Sequence, residues 1–223
     1  MAKDRLKALV IGATGAVGKD LVQQLIEDSS FERVDIFVRR EVKIPSAKLV
    51  AHVVDFDHPE TWADLLQGDV LFSCMGTTIK AAGSQEAQWK VDYTYQYEAA
   101  KAAKANGVPT FVLVSATGAN PKSKVFYTRM KGELDEAVQQ IGFEGCFILR
   151  PPSLIRKGND RFGETVSIAI LKALNAIGLF RNLTPMPTEA VAASMIRLAK
   201  SGRKGVEIIV IGIFRIIIED FFS

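Results

Sequence analysis

Cysteine and histidine are scarce in this chain of 223 residues: two of each, Cys74, Cys146, His52 and His58. The cysteines lie far apart, each inside an apolar run, which excludes a disulfide framework and reads as two reduced, buried thiols. No zinc-ligand spacing can be built from these four residues, so no metal site is expected. Neither sign of charge dominates, with 28 Lys and Arg against 25 Asp and Glu. A net charge of +3 does not call for nucleic acid or an anionic membrane, and no basic cluster is interleaved with aromatics.

Long apolar runs are also missing. The stretch from Val206 to Phe222 is strongly apolar but short of the roughly 20 residues that span a bilayer, and Arg215, Glu219 and Asp220 interrupt it. It reads as a last buried strand followed by a docking segment. The N-terminus, Met1 to Lys7, carries no apolar signal core, so a cytosolic protein is expected. There is no internal repeat and no low-complexity linker.

What is present is alternation. Ala8–Ile11, Val34–Val38, Leu49–Val54, Val70–Met75, Phe111–Ser115 and Cys146–Leu149 are short, near-continuous apolar runs of strand type. Between them lie helical patterns: Val17, Leu21, Leu25 and Ile26 on one face, Trp62–Leu66 behind an early Pro59, Gln85–Ala105 closing at Asn106-Gly107, and Phe126–Gln140. Apolar strands alternating with helices predict an α/β fold, a doubly wound parallel sheet of Rossmann type covered on both faces. After Pro151 the pattern weakens, with helices expected over Ser167–Leu179 and Glu189–Lys200 and a strand at Val206–Ile209. Residues 1–223 are read as one domain, with 151–223 forming the substrate side and the C-terminal elements. The substrate side is expected over the carboxyl ends of the strands.

The first strand stops at Gly12-Ala13-Thr14-Gly15-Ala16-Val17-Gly18, which opens a helix. In that context Gly12 permits the tight turn, Gly15 lets the backbone approach a pyrophosphate, and Gly18 allows close helix–strand packing. The N–H groups at the helix start face the phosphates, and Thr14 can add a hydroxyl. A dinucleotide is therefore the expected ligand. Its type is read at the end of the second strand, where an acidic residue favours NAD and an arginine favours NADP. Here Arg39 and Arg40 precede the first acidic residue, Glu41, and two guanidinium groups suit a phosphate dianion. NADP is expected. From position in the fold, Asp55 is assigned to the adenine amino group, and Cys74, Met75, Gly76 and Thr77 to the length of the cofactor.

Tyr127 and Lys131 stand four apart, on one face of a helix. A nearby ammonium is expected to lower the tyrosine pKa, and Tyr127 can then exchange a proton with a carbonyl or alcohol oxygen. Lys131 can also hold the nicotinamide ribose. Ser115 closes the fifth strand, twelve residues earlier, and is placed to bond the same oxygen. Thr117 competes for that role.

These motifs together, with Cys74-Met75-Gly76-Thr77-Thr78, resemble the short-chain dehydrogenase/reductase superfamily in its atypical, compact branch, and within it the Tat-interacting-protein-like oxidoreductase group. The resemblance runs from about Leu9 to Pro152 and continues loosely through Arg161-Phe162-Gly163-Glu164 to about Lys200. It implies NADPH binding, with Tyr127 as proton donor and Lys131 as ribose ligand. It also implies that Pro151 and Leu154 line the cofactor and that Arg161 lies beside the substrate. Two positions depart from the wider superfamily. Val91-Asp92-Tyr93 stands where many members carry an asparagine, and Ser115-Ala116 replaces a common Ser-Ser. Two functions follow from the same residues: an NADPH-dependent reductase of a small carbonyl substrate, or a non-catalytic NADP-binding protein that regulates a protein partner. Either is expected as a monomer or homodimer, away from nucleic acid and membrane.

Overall fold

A computed structural model describes residues 5–152, 154–155 and 186–210. The expected helix at Ser167–Leu179, Arg161 and the chain beyond Val210 lie outside the described residues.

Seven strands form one sheet: β1 (Leu6–Ile11), β2 (Phe31–Val38), β3 (Leu49–Val53), β4 (Val70–Ser73), β5 (Thr110–Val114), β6 (Gly145–Arg150) and β9 (Gly205–Val210). Their order is β3-β2-β1-β4-β5-β6-β9, and every pairing is parallel. The chain winds outward from β1 in one direction, then returns and winds outward in the other. This is the single-domain Rossmann arrangement, and the crevice between β1 and β4 is its switch point. A two-stranded ladder, β7 (Leu154–Ile155) with β8 (Met186–Pro187), stands apart from the sheet.

Helices cover both faces. On one side α1 (Ala16–Glu27) packs on α6 (Thr188–Lys200), and Val17, Leu21, Leu25, Val191 and Met195 bury against Val10, Phe72 and Phe147. On the other, α4 (Tyr95–Ala105) and α5 (Phe126–Gln139) bury Ala99, Ala103, Leu134 and Val138 against Leu9, Leu71, Phe111 and Ile148. Phe31, Phe37, Phe72, Phe111 and Phe147 are fully buried, each contributing about 1.5–3 kcal/mol of transfer free energy. The two cysteines are free, and burial pushes the Cys146 thiol up to about 12.

Two expected helices differ in detail. Trp62–Leu66 forms no α-helix; two 3₁₀ turns, Pro59–Thr61 and Ala63–Leu65, occupy the region. The Trp62 indole N–H donates to the Asp55 carbonyl at 2.8 Å, so a tertiary hydrogen bond fixes this segment. The span Gln85–Ala105 is broken into α3 (Gln85–Trp89), a π-helical turn (Lys90–Thr94) and α4. A short α2 (Ile79–Ala82) precedes them, capped by the Thr78 hydroxyl. The π turn has a cause. The Gln96 amide donates to the Asp92 carbonyl at 2.7 Å, and its own oxygen accepts the Ser73 hydroxyl at 2.6 Å. The widened turn thus gives one helix carbonyl to a side chain bonded to the end of β4.

Candidate active site

The glycine loop is shaped by the backbone around it. Gly12 has φ +78°, and a Cβ there would lie 2.5 Å from both Cys74 C and Met75 N. A side chain at this position would therefore wedge β1 away from the segment that follows β4. A Cβ on Gly18 would fall 2.1 Å from the Gly12 carbonyl oxygen, so α1 rests directly on the turn. Gly15 is the N-cap of α1 and offers no side chain to its first N–H groups. Those donors have no intrahelical partners, and the positive end of the helix dipole lies with them. A Cβ on Gly15 meets the Gly12 oxygen at 3.2 Å, tight but not prohibitive. Ala16 is half-buried, Val17 is buried and Thr14 is exposed. This bare helix N-terminus over a glycine cradle fits a dinucleotide pyrophosphate.

Arg39 and Arg40 are exposed just beyond β2, and neither pairs with a carboxylate among the described residues. Arg39 lies near enough to Tyr95 to act on its phenol. Tyr95 donates to Asp57, which also binds Lys90 at 2.6 Å. Asp55 is exposed, but its Oδ1 accepts the Asp57 N–H at 2.9 Å. One carboxylate oxygen is thereby engaged in its own turn.

Cys74 to Thr77 run from the end of β4 beside the glycine loop. The Cys74 N–H donates to the Ile11 carbonyl at 3.0 Å, and Thr77 is held at both ends of its peptide. Its N–H donates to Asp92 Oδ2 at 2.7 Å, and its carbonyl accepts the Gln88 amide at 3.0 Å.

Tyr127 and Lys131 share a face of α5, one turn apart. Lys131 is buried, and its Nζ lies 3.0 Å from Asp92 Oδ1. Burial works against the ammonium, yet the neighbouring Asp92, Tyr127 and Asp135 hold its pKa above the ordinary lysine value. Tyr127 departs from expectation. Its pKa is raised, first by burial, and Asp92 and Asp135 add to that while Lys131 only offsets part of it. The ammonium does not win because burial outweighs it and two carboxylates oppose it.

The choice between the two hydroxyls is sharpened. Thr117 Oγ1 lies 3.0 Å from the Arg150 carbonyl and 2.8 Å from the Pro151 carbonyl, so its proton serves the backbone. Ser115 Oγ is buried without a partner at hydrogen-bond distance, as is Asp135 Oδ1, and the two groups face each other. Asp135, one turn beyond Lys131, is bound by Arg150 through two contacts of 2.8 Å. Burial raises the Asp135 carboxyl despite that partner. Pro151 is buried and Leu154 is half-buried in β7.

Sequence reasoning missed two contributors. Asp92, in the Val91-Asp92-Tyr93 segment, bridges Lys131 and Thr77. Gly132 follows Lys131, and a Cβ on it would lie 2.3 Å from Asn120 C and Pro121 N. The adjacency of glycine to the lysine is the one trace of this in the sequence.

Residues 12–200 match a family model described as NAD(P)H-binding. The chain belongs to this NAD(P)H-binding family. Protein FMP52-1, mitochondrial, of Scheffersomyces stipitis is 36% identical over 181 residues, 78% of this chain and 79% of that protein. Further fungal FMP52 proteins at 35–41% identity carry the same designation. Among solved structures, MoeE5 in complex with UDP-glucose and NAD superposes with a TM-score of 0.72 at 18% identity, covering 92% of this chain and 76% of that one. A short-chain dehydrogenase/reductase family oxidoreductase from Burkholderia thailandensis does so at 0.68 and 17% identity, covering 99% and 98%. The fold is thus the one these solved structures share.

The relatives correct one expectation. They are named mitochondrial, which overturns the cytosolic reading. That reading tested the N-terminus for an apolar secretory core, a feature that mitochondrial transit sequences lack.

Proposed function

We propose that this protein is an NADPH-dependent reductase of a small carbonyl compound, with Tyr127 as proton donor, Lys131 as ribose ligand, and mitochondria as its compartment by kinship with the FMP52 proteins. The observation that carries the reading is the Tyr127–Lys131 pair, one turn apart on α5 with the lysine buried, in a chain whose glycine loop leaves the N-terminus of α1 bare. Gly12, Gly15 and Gly18 shape the pyrophosphate cradle, with the N–H groups of Ala16, Val17 and Gly18 and the Thr14 hydroxyl above it. The exposed Arg39 and Arg40, free of carboxylate partners among the described residues, suit a 2′-phosphate. Asp55 is assigned to adenine, and Cys74 to Thr77, Pro151 and Leu154 to the cofactor's flank.

The bound nicotinamide supplies the hydride. The protein's part is to orient the carbonyl and protonate its oxygen. A tyrosine whose pKa is raised stays protonated through the neutral range, which suits a donor to a nascent alkoxide better than a base toward an alcohol. Ser115, whose hydroxyl faces the Asp135 carboxylate, is the candidate second donor, since Thr117 is bound to backbone carbonyls. Arg161 is assigned to the substrate by family resemblance.

A second reading, a non-catalytic NADP-binding regulator of a protein partner, is favoured by one observation: Lys131 is paired with Asp92 and so is not devoted to Tyr127. A screen of aldehydes and ketones for NADPH oxidation separates the two. Turnover of any member supports the reductase. Tight NADPH binding with no turnover across the library supports the regulator.

A further inference from the structure

We propose that Asp92 is a positioning residue whose two carboxylate oxygens tie the Lys131 ammonium to the Thr77 peptide, so that the ribose-binding lysine and the loop after β4 are held as one unit. This rests on the reductase reading of Lys131 given above.

The geometry divides the work between the two oxygens. Oδ1 meets Lys131 Nζ at 3.0 Å, and Oδ2 accepts the Thr77 N–H at 2.7 Å. The side chains are all but inaccessible, 1% exposed for Asp92 and 3% for Lys131, so water cannot replace either bond. Both partners are donors. An asparagine has one acceptor oxygen, and its NH₂ would be turned toward the other donor. The site therefore demands a carboxylate.

The backbone of Asp92 is fixed as well. Its carbonyl lies in the π turn and accepts the Gln96 amide, which in turn is bonded to Ser73 at the end of β4. The carboxylate is thus anchored to the same strand whose following loop it holds. A Cβ on Gly76 would stand 3.6 Å from Asp92 Oδ1, so this loop runs close over the carboxylate.

The consequence for Lys131 is electrostatic. An ammonium deprived of water sheds its proton unless an anion faces it. The charged and titratable groups around Lys131 are Asp92 from the π turn and Tyr127 and Asp135 from α5, with Arg150 of β6 bound to Asp135. Asp92 is the only one of these at ion-pair distance from Nζ among the described residues. It uses one of the three N–H groups of the ammonium and leaves two for a ligand. Removing the carboxylate should free the Thr77 loop and also lower the Lys131 pKa, since burial then acts on the ammonium with its nearest anion gone.

The test is the pH dependence of NADPH affinity, read by fluorescence titration of the intact chain. Between about pH 7 and pH 9.5 the wild-type Kd should stay flat, because the ammonium is held, whereas Asp92→Asn should bind progressively more weakly, by about tenfold at the upper end. A purely structural defect would weaken binding equally at every pH. In the double variant Asp92→Asn, Lys131→Arg the slope should vanish, since a guanidinium does not titrate in this range. A wild-type affinity that falls over the same range, a flat Asp92→Asn curve, or a slope that survives the arginine would each overturn the proposal. The wild-type limb stands even if Asp92→Asn does not fold. Lys131→Met separates the levels. If it binds NADPH as wild type does, lysine is not a ribose ligand and the inference falls, while the glycine-loop assignment stands. Failure of the wild type to bind either dinucleotide would remove the cofactor reading itself, and this inference with it.

Discussion

Gly132 carries the Asn120–Pro121 peptide directly on its α-carbon: a Cβ there would lie 2.3 Å from Asn120 C and 2.6 Å from Asn120 N. The Asn120 N–H also donates to the Thr128 carbonyl at 2.9 Å, which binds the loop after β5 to the first turn of α5, where Tyr127 sits. The obstacle is backbone on both sides, so no rotamer change relieves it. Gly132→Ala should cost about 1–3 kcal/mol, seen as a lower urea midpoint, and should reduce turnover beyond what the lost stability explains. Unchanged stability would show that the loop is not seated there.

A second prediction concerns acid. Asp35 is 1% exposed on β2 and is contacted by Arg33, by Lys7 at 3.2 Å and by His52 at 3.1 Å. Burial alone would raise its pKa, but these partners hold it below the ordinary value. A carboxyl depressed in the folded state stabilises the protein above its unfolded pKa, near 3.9, and that contribution is lost as pH falls through the folded value. Wild type should therefore lose stability steeply below about pH 4. Asp35→Asn should be about 3 kcal/mol less stable at neutral pH, because Arg33 and Lys7 are left without their anion, and should show a shallower acid limb. Chemical denaturation at a series of pH values gives both numbers. An equal acid limb in the two proteins would contradict the assignment.

Much of this was legible before any coordinates. The apolar runs that end at Gly12 and Gly76, the helix stop at Asn106-Gly107 and the spacing of Tyr127 and Lys131 are local signals, and the fold obeyed them. What could not be read was decided by contacts between distant segments. The π turn follows from the Gln96 amide reaching Asp92 and Ser73. The pairing of Lys131 with Asp92 joins two helices. The direction of the Tyr127 shift depends on burial and on two carboxylates that only the packed structure brings near. Thr117 loses its candidacy for the same reason, because its partners are the Arg150 and Pro151 carbonyls across the sheet.

Cofactor choice is the third prediction. Replacing both Arg39 and Arg40 by alanine should weaken NADPH by about 1.5–3 kcal/mol, the cost of a charge-assisted hydrogen bond to phosphate, and leave NADH nearly unaffected. Paired titrations of the two dinucleotides measure this. Equal affinity of the wild type for both would contradict the NADP assignment.

The raised Tyr127 also predicts how each direction of the reaction responds to pH. Reduction needs the protonated phenol and should hold level through neutrality, falling only in the alkaline range. Oxidation of the corresponding alcohol needs the phenolate and should climb across that same range. Initial rates in both directions across a pH series decide it. An alcohol-oxidation optimum at neutral pH would mean that the ammonium prevails over burial after all.

The most direct test of the account is single-turnover reduction by wild type and Tyr127→Phe, with NADPH affinity measured in parallel. The variant removes the phenolic proton and little else, so the hydride-transfer rate should drop by a factor of about a hundred to ten thousand while the NADPH Kd stays within twofold of wild type, roughly 0.4 kcal/mol. A Tyr127→Phe protein that reduces the same carbonyl at the wild-type rate would contradict it.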